Sequence, residues 1–508
     1  MSTRSIAVAL LSALSTLAAF ACGDNDTTQP PGSSPDAAAQ PDEPDAAPPA
    51  LTCEESTLAA SLAELPDVAS VAETDCGDYV VGPARCFAIE MTQPTDHANA
   101  ASPTFLQHLF LVHRGCDRPT LVADWGYSNE YFWDFELSLL YQTNDLWIEH
   151  RYQGESVPDT ADWDWTQLTI ENGAGDMHQV IAAFRPLYQG RWVSTGASKG
   201  GITATYHKYF FPDDVDGAIP YVAPASRARI DPAYQDYLAE NLPAGCAGRL
   251  RDVQVAALTT RRTMMLRRLT DIVGPGAEAE WLEQLTESFD WSFWQYWGQS
   301  YCNQVPRSSA SNAEFWQFFH DFSYLGWGAS PSSNPMGSDG ALYYEWLTEQ
   351  GFALQTNSAV APLLEQPSAL ATMEDNFRAM FPAVALPEYD GAVTAAVRSW
   401  VRDEAEDVLL IYGQYDPWSG GAMAAPAMTS SARYFVPAAT HGAQISALAE
   451  EERTAALAIA TGFFGVAPVD AQRSAAARAG ATYRDLLERK QLYEMAIPLR
   501  LRLGRTAR

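Results

Sequence analysis

The sequence predicts an α/β fold with a mostly parallel sheet, interrupted once by a large helical insertion. Two observations carry this expectation. Short apolar runs alternate with helical patterns up to about residue 225 and again from about residue 398, which is the signature of strands joined by crossover helices. Between them, from about Ser226 to Val397, no strand pattern is convincing and helical runs dominate.

The chain has 508 residues, of which 47% are hydrophobic and 11% aromatic, with 15 tryptophans. That composition suits a packed globular body rather than a disordered chain. A formal net charge of −31 argues against binding to nucleic acid or to an anionic membrane surface, since a polyanion is repelled at long range.

The first segment, residues 1–21, carries an apolar run from Ile6 to Phe20 behind Arg4. It is too short to span a bilayer and fits the apolar region of a signal peptide. The small residues of "AAFACGD" before Cys22 resemble a bacterial lipoprotein signal, with Cys22 as the lipid attachment point. Residues 22–51 are rich in Pro, Asp, Ala and Ser with almost nothing to bury, so they form a tether rather than a folded unit. The expected location is the cell envelope or the exterior, with membrane contact only through lipid on Cys22.

Six cysteines remain: Cys53, Cys76, Cys86, Cys116, Cys246 and Cys302. An even number in an exported chain suggests three disulfides, although spacing alone does not fix the pairing. Cys86 opens one strand-like run and Cys116 closes the next, so a hairpin would pair them. Cys53 with Cys76 and Cys246 with Cys302 then follow by proximity. No CxxC or HxxxH spacing occurs among them, and neither a metal nor a cofactor is expected.

Residues 52–225 form the first part of the core. "CFAIEMTQPTDH" and "TFLQHLFLVHR" alternate around the turn-rich "ANAASP" and predict a hairpin. "PTLVADWGYS" and "NDLWIEHRYQGES" are short apolar runs that end in small or polar residues, as buried strands do on entering loops. In "ENGAGDMHQVIAAFRPLY", Met177, Val180, Ile181 and Phe184 share a helical face. "RWVSTG" and "DDVDGAIPYVAPAS" read as further strands. Residues 226–397 form the helical cap, with runs such as "LRDVQVAALTTRRTMMLRRLTDIV". Residues 398–467 resume the core, with "DVLLIYGQYD", "ARYFVPAATH" and a helix in "ISALAEEERTAALAIATGFF". Residues 468–508 form a basic, amphipathic tail that would dock as a helix on the acidic body.

The chemistry centres on "RWVSTGASKGGITATYH". A phosphate loop needs GK[ST], and the order Ser198, Lys199, Gly200, Gly201 does not supply it. The stretch does fit G-x-S-x-G between a strand and a helix, the sharp turn that exposes a nucleophilic serine. In such a fold an acid and a histidine follow in that order, each past a late strand. Asp416 in "IYGQYDPWSGG" and His441 in "VPAATHGAQI" stand at those places. Ser198 is then the nucleophile, His441 the general base and Asp416 the group that orients it. The amide of Lys199 and those of Gly126 and Tyr127 in "DWGYSNE" are the candidate oxyanion donors.

Together with "IEHRYQGES", "LTIENGAGDMHQVI" and "ATHGAQI", these stretches resemble the secreted prolyl tri- and tetrapeptidyl aminopeptidase family of serine peptidases, in order from about Cys86 to Phe464. Lys199 after the serine matches that type rather than its carboxypeptidase and dipeptidyl relatives, whose turn reads more like G-G-S-Y-G-G. The resemblance implies an α/β-hydrolase core under a helical cap, a triad of Ser198, Asp416 and His441, and peptide substrates cut near a free amino terminus with proline at the cleaved bond. Such an amine needs a carboxylate partner; Glu130 in "YSNEY" is the first candidate and Glu345 in "YYEWL" the second. Trp291, Phe293, Trp294 and Trp297 are candidates to wall a proline pocket or to fill the cap core. An esterase or lipase on the same triad, and an inactive surface-binding hydrolase-like lipoprotein, are the competing assignments. Metabolic labelling with palmitate should mark the wild-type chain and not Cys22→Ser; equal labelling of both would remove the anchor.

Overall fold

Strand alternation and helical periodicity combine into one nine-stranded sheet in the computed structural model. It describes residues 52–129, 131–159, 163–323, 325, 339–365, 373–375, 377–378 and 381–469. The leader-like segment, Cys22, the tether, Glu130 and the basic tail from residue 470 lie outside these residues.

The strands are β1 (Val68–Thr74), β2 (Arg85–Pro94), β3 (Thr104–His113), β4 (Thr120–Asp124), β5 (Asn144–Ile148), β6 (Trp192–Ala197), β7 (Gly217–Tyr221), β8 (Ile230–Asp231), β9 (Phe352–Ala353), β10 (Leu409–Gly413) and β11 (Ala432–Val436). The main sheet runs in the order β1-β2-β3-β5-β4-β6-β7-β10-β11. β1, β2, β3 and β5 pair antiparallel in turn, and from β5 to β11 every pairing is parallel. This order, with its antiparallel hairpin entering a parallel sheet and a sharp strand-to-helix turn after β6, is that of an α/β hydrolase.

β4, β5, β7 and β10 are buried along their whole length, as expected where helices cover both faces of a parallel sheet. Their side chains alternate between two cores because successive residues of a strand point to opposite faces. Val122, Leu146 and Ile148 meet Met177, Val180, Ile181 and Phe184 of the helix Ile170–Phe184. Leu121, Ala123 and Trp147 lie on the other side with Ala456, Ala460, Phe463 and Phe464 of the helix Glu450–Phe464.

Between β7 and β10 the chain builds a helical layer with its own core, in which Leu250, Met265, Leu282, Phe289, Phe293, Trp294, Phe318 and Phe319 are buried together. Within it β8 and β9 form a small parallel pair, Ile230 opposite Phe352 and Asp231 opposite Ala353. Two residues per strand are too few to leave a periodicity in the sequence.

Three disulfides are present, which fits an exported protein. Cys246–Cys302 agrees with the pairing expected above, and the other two correct it: Cys53 joins Cys116 and Cys76 joins Cys86. The edge strand β1 is the reason. Its register sets Thr74 opposite Cys86, so Cys76 arrives beside Cys86 with Cα atoms 5.2 Å apart. Cys116 lies past the end of β3 and meets the N-terminal segment at Cys53, closing a separation of 63 residues, worth about 4 kcal/mol in a chain-entropy account. Non-reducing peptide mapping should recover the links 53–116, 76–86 and 246–302; a Cys86–Cys116 peptide would contradict this arrangement.

Candidate active site

Turns at the C-terminal ends of β6, β10 and β11 carry Ser198, Asp416 and His441. Ser198 stands between β6 and the helix Lys199–Phe210 at φ 58°, ψ −124°, a strained conformation for a residue with a side chain and one that clusters at functional sites. Its N–H is fixed by the Tyr221 carbonyl at 3.0 Å. Gly196 is required for the turn, because a Cβ there would run into the Gly200 backbone.

Asp416 is fully buried. Its Oδ1 accepts the Trp418 N–H at 3.1 Å, and its Oδ2 lies 2.7 Å from His441 Nδ1. A proton on Nδ1 facing this carboxylate leaves Nε2 as the acceptor. His441 Nε2 is buried with no hydrogen-bond partner among the described residues. The cap contributes to the same turn: the His441 N–H donates to the Gln295 carbonyl at 3.0 Å. Behind it, Glu136 accepts from the Ile445 and Ser446 amides at 2.9 and 2.8 Å and from the Tyr221 hydroxyl at 3.1 Å. Burial pushes the Glu136 carboxyl above its ordinary value against these donors. Glu136 thereby ties the histidine loop to the end of β7, beside the serine turn.

A ring of charge lies next to Ser198. Lys199 Nζ donates to the Gly126 carbonyl at 2.6 Å and pairs with Glu345 Oε2 at 2.7 Å. Glu345 Oε1 is 3.1 Å from His150 Nε2, and His150 Nδ1 is 2.7 Å from Asp124 Oδ2. All four side chains are at most 3% exposed. Burial alone would raise the Glu345 carboxyl, but Lys199 and His150 hold it below its ordinary value. Burial likewise opposes the charged form of His150, and the carboxylates of Asp124 and Glu345 outweigh both that and Lys199, raising it to about 9.

This geometry corrects two expectations. Glu345 is not an open partner for a substrate amine, because its oxygens already face Lys199 and His150. The Gly126 amide donates to Asp124 Oδ1 at 2.8 Å, so it is engaged away from an oxyanion; Lys199 and Tyr127 are the remaining expected amides. Asp124 and His150 were not singled out from the sequence, although each stands where a buried strand run ends, the same signal that marks Asp416 and His441. Of the aromatic candidates, Trp291 touches Trp418 at 5.2 Å, and Trp418 lies 6.3 Å from the His441 ring. Phe293 and Trp294 belong to the cap core, and Trp297 packs on Phe322. A separate cavity of about 410 Å³ in the cap is lined by Leu238, Asp290, Trp294 and Asn357 among others.

His150 gives the ring a pH dependence. Its folded-state value of about 9 lies above the ordinary 6.5, so its contribution is fully present below pH 6.5 and is lost as pH rises through 9. The contribution is on the order of 3 kcal/mol. Thermal melts of wild type and His150→Gln should therefore differ most near pH 6 and converge by pH 10; a gap independent of pH would contradict a charged His150.

Residues 59–498 match the PS-10 peptidase S37 family. The chain is similar to the prolyl tri/tetrapeptidyl aminopeptidase of Streptomyces mobaraensis, 30% identical over 438 residues, spanning 83% of this chain and 88% of that one. Among solved structures it is similar to feruloyl esterase B from Aspergillus oryzae, with 12% identity, TM-score 0.34 and coverage of 79% and 88%. It is also similar to homoserine O-acetyltransferase from Staphylococcus aureus, with 11% identity, TM-score 0.33 and coverage of 76% and 95%. The chain belongs to the PS-10 peptidase S37 family and is a serine-type peptidase.

Proposed function

We propose that this peptidase is exported and cleaves short peptides from free amino termini, releasing tri- or tetrapeptides with proline favoured at the cleaved bond. The observation that carries the catalytic part is the Asp416–His441 pair at 2.7 Å, with Nε2 buried and unpartnered among the described residues. The peptide-end specificity draws on the similarity to the Streptomyces enzyme.

In this mechanism Ser198 Oγ attacks the scissile carbonyl carbon while His441 Nε2 takes its proton. Asp416 stabilises the imidazolium so formed. The carbonyl oxygen becomes an oxyanion held by the Lys199 and Tyr127 amides. Collapse breaks the C–N bond, Nε2 gives its proton to the leaving amine, and the acyl group stays on Ser198. Water then attacks with His441 again as base, regenerating Ser198 and releasing the peptide acid. The indole of Trp418, partly exposed beside His441 and backed by the buried Trp291, supplies an apolar wall for a proline ring. Glu130, three residues after Tyr127 in the sequence, is assigned to the substrate ammonium.

A fluorophosphonate probe should label the wild-type chain and not Ser198→Ala. Incubation with free and N-acetylated peptide libraries, read by mass spectrometry, should give tri- or tetrapeptides from the free set alone. Labelling that survives Ser198→Ala would sink the nucleophile assignment. Equal cleavage of acetylated peptides would sink amine recognition, and cleavage of esters alone would assign an esterase.

A further inference from the structure

The Lys199 ammonium is buried beside the nucleophile, yet the proposed acyl-transfer steps use only its backbone amide. Its two close partners show what the side chain holds. One is Glu345, at the C-terminal end of the cap helix Asp339–Glu345. The other is the carbonyl of Gly126, in the loop that leaves β4.

A peptide unit is planar and trans, so its carbonyl oxygen and its N–H point in opposite directions. The carbonyl of Gly126 and the N–H of Tyr127 belong to the same unit. A cation 2.6 Å from that oxygen therefore fixes the direction of the Tyr127 N–H, and by polarising the amide it strengthens that N–H as a donor. The rest of the loop is held too. The Gly126 N–H is bound to Asp124 Oδ1 at 2.8 Å, and the Tyr127 carbonyl accepts the His150 N–H at 3.1 Å. Gly126 has φ +74°, and a Cβ on it would come within 2.5 Å of Lys199 Cγ, so only glycine admits the lysine stem this close to the loop backbone.

We propose that Lys199 is a positioning residue: its ammonium orients and polarises the Gly126–Tyr127 peptide as an oxyanion donor, and the cap's Glu345 holds the ammonium in place. Docking of the cap and assembly of the oxyanion hole are then one event, linked through a ring that returns to the same loop by way of His150 and Asp124. The proposal rests on the assignment of Ser198 and the oxyanion donors above.

Removing Lys199 alone leaves Glu345 buried beside His150 with a lost partner, which would itself destabilise the fold. The test therefore uses Lys199→Met combined with Glu345→Gln, and Glu345→Gln alone, in the full chain. The expected result for the folded double variant is a fall in kcat of about 10²- to 10³-fold, the scale for loss of an oxyanion donor, with KM within about threefold. Binding of a peptide aldehyde, whose adduct carries the oxyanion, should weaken by the same factor. Binding of the uncleaved peptide, measured in the Ser198→Ala background with and without the two substitutions, should not change. Glu345→Gln alone should lower kcat by less than the double variant does, at unchanged KM and with aldehyde affinity falling in parallel, and it carries the test if the double variant does not fold. Wild-type kcat in either variant, or a loss confined to KM, would overturn the proposal. Failure of the underlying nucleophile assignment would show separately, as turnover remaining in Ser198→Ala.

Discussion

A buried ammonium costs several kcal/mol unless it is paired and hydrogen-bonded, and this constraint organises the structure around Lys199. At 2% exposure its side chain must find a carboxylate and a carbonyl, and it finds them on two segments far apart in the chain. The carboxylate comes from the cap and the carbonyl from the loop after β4. Glu345 in turn needs a second donor and takes His150 and the Gln350 amide, both at 3.1 Å. His150 then needs Asp124, and Asp124 closes the ring on Gly126. Each member is tolerable in the interior because the next one is present, so the helix Lys199–Phe210, the loop after β4, the turn after β5 and the cap are fixed relative to one another.

The histidine side of the site obeys a similar logic with fewer charges. Asp416 is buried against Trp418 N–H and His441, and the histidine loop is anchored at both ends. The Gln295 carbonyl of the cap receives the His441 amide, and Glu136 receives the amides of Ile445 and Ser446 further along the loop. Glu136 also takes the Tyr221 hydroxyl, while the Tyr221 carbonyl holds the Ser198 N–H. His441 and Ser198 are thus braced through a shared residue at the end of β7, while His441 Nε2 is left without a hydrogen-bond partner among the described residues. That division suits the proposed catalysis: hydrogen bonds hold the backbone on both sides, and the Nε2 assigned as base is left to the substrate.

Much of this was legible from sequence, for reasons that are local. Buried parallel strands leave short apolar runs, and the turns that end them carry the polar residues, so Ser198, Asp416 and His441 could be placed from pattern and order. Contacts between distant segments leave no such trace. Lys199 and Glu345 meet across the cap insertion, and nothing in "YYEWL" distinguishes a carboxylate held by a lysine from one waiting for a substrate amine. The pairing of Cys76 with Cys86 depended on β1, whose outward-facing, largely exposed residues give it little apolar alternation to read. The donor role of Gly126 failed on the hydrogen bond from its N–H to the Asp124 side chain two residues earlier.

The most direct test of the account is the crystal structure of the enzyme after inactivation by a fluorophosphonate. Phosphorus should be bonded to Ser198 Oγ, with the phosphoryl oxygen about 3 Å from both the Lys199 and the Tyr127 backbone nitrogens and Lys199 Nζ still on the Gly126 carbonyl. An adduct on another residue, or a phosphoryl oxygen turned away from the two amides, would contradict it.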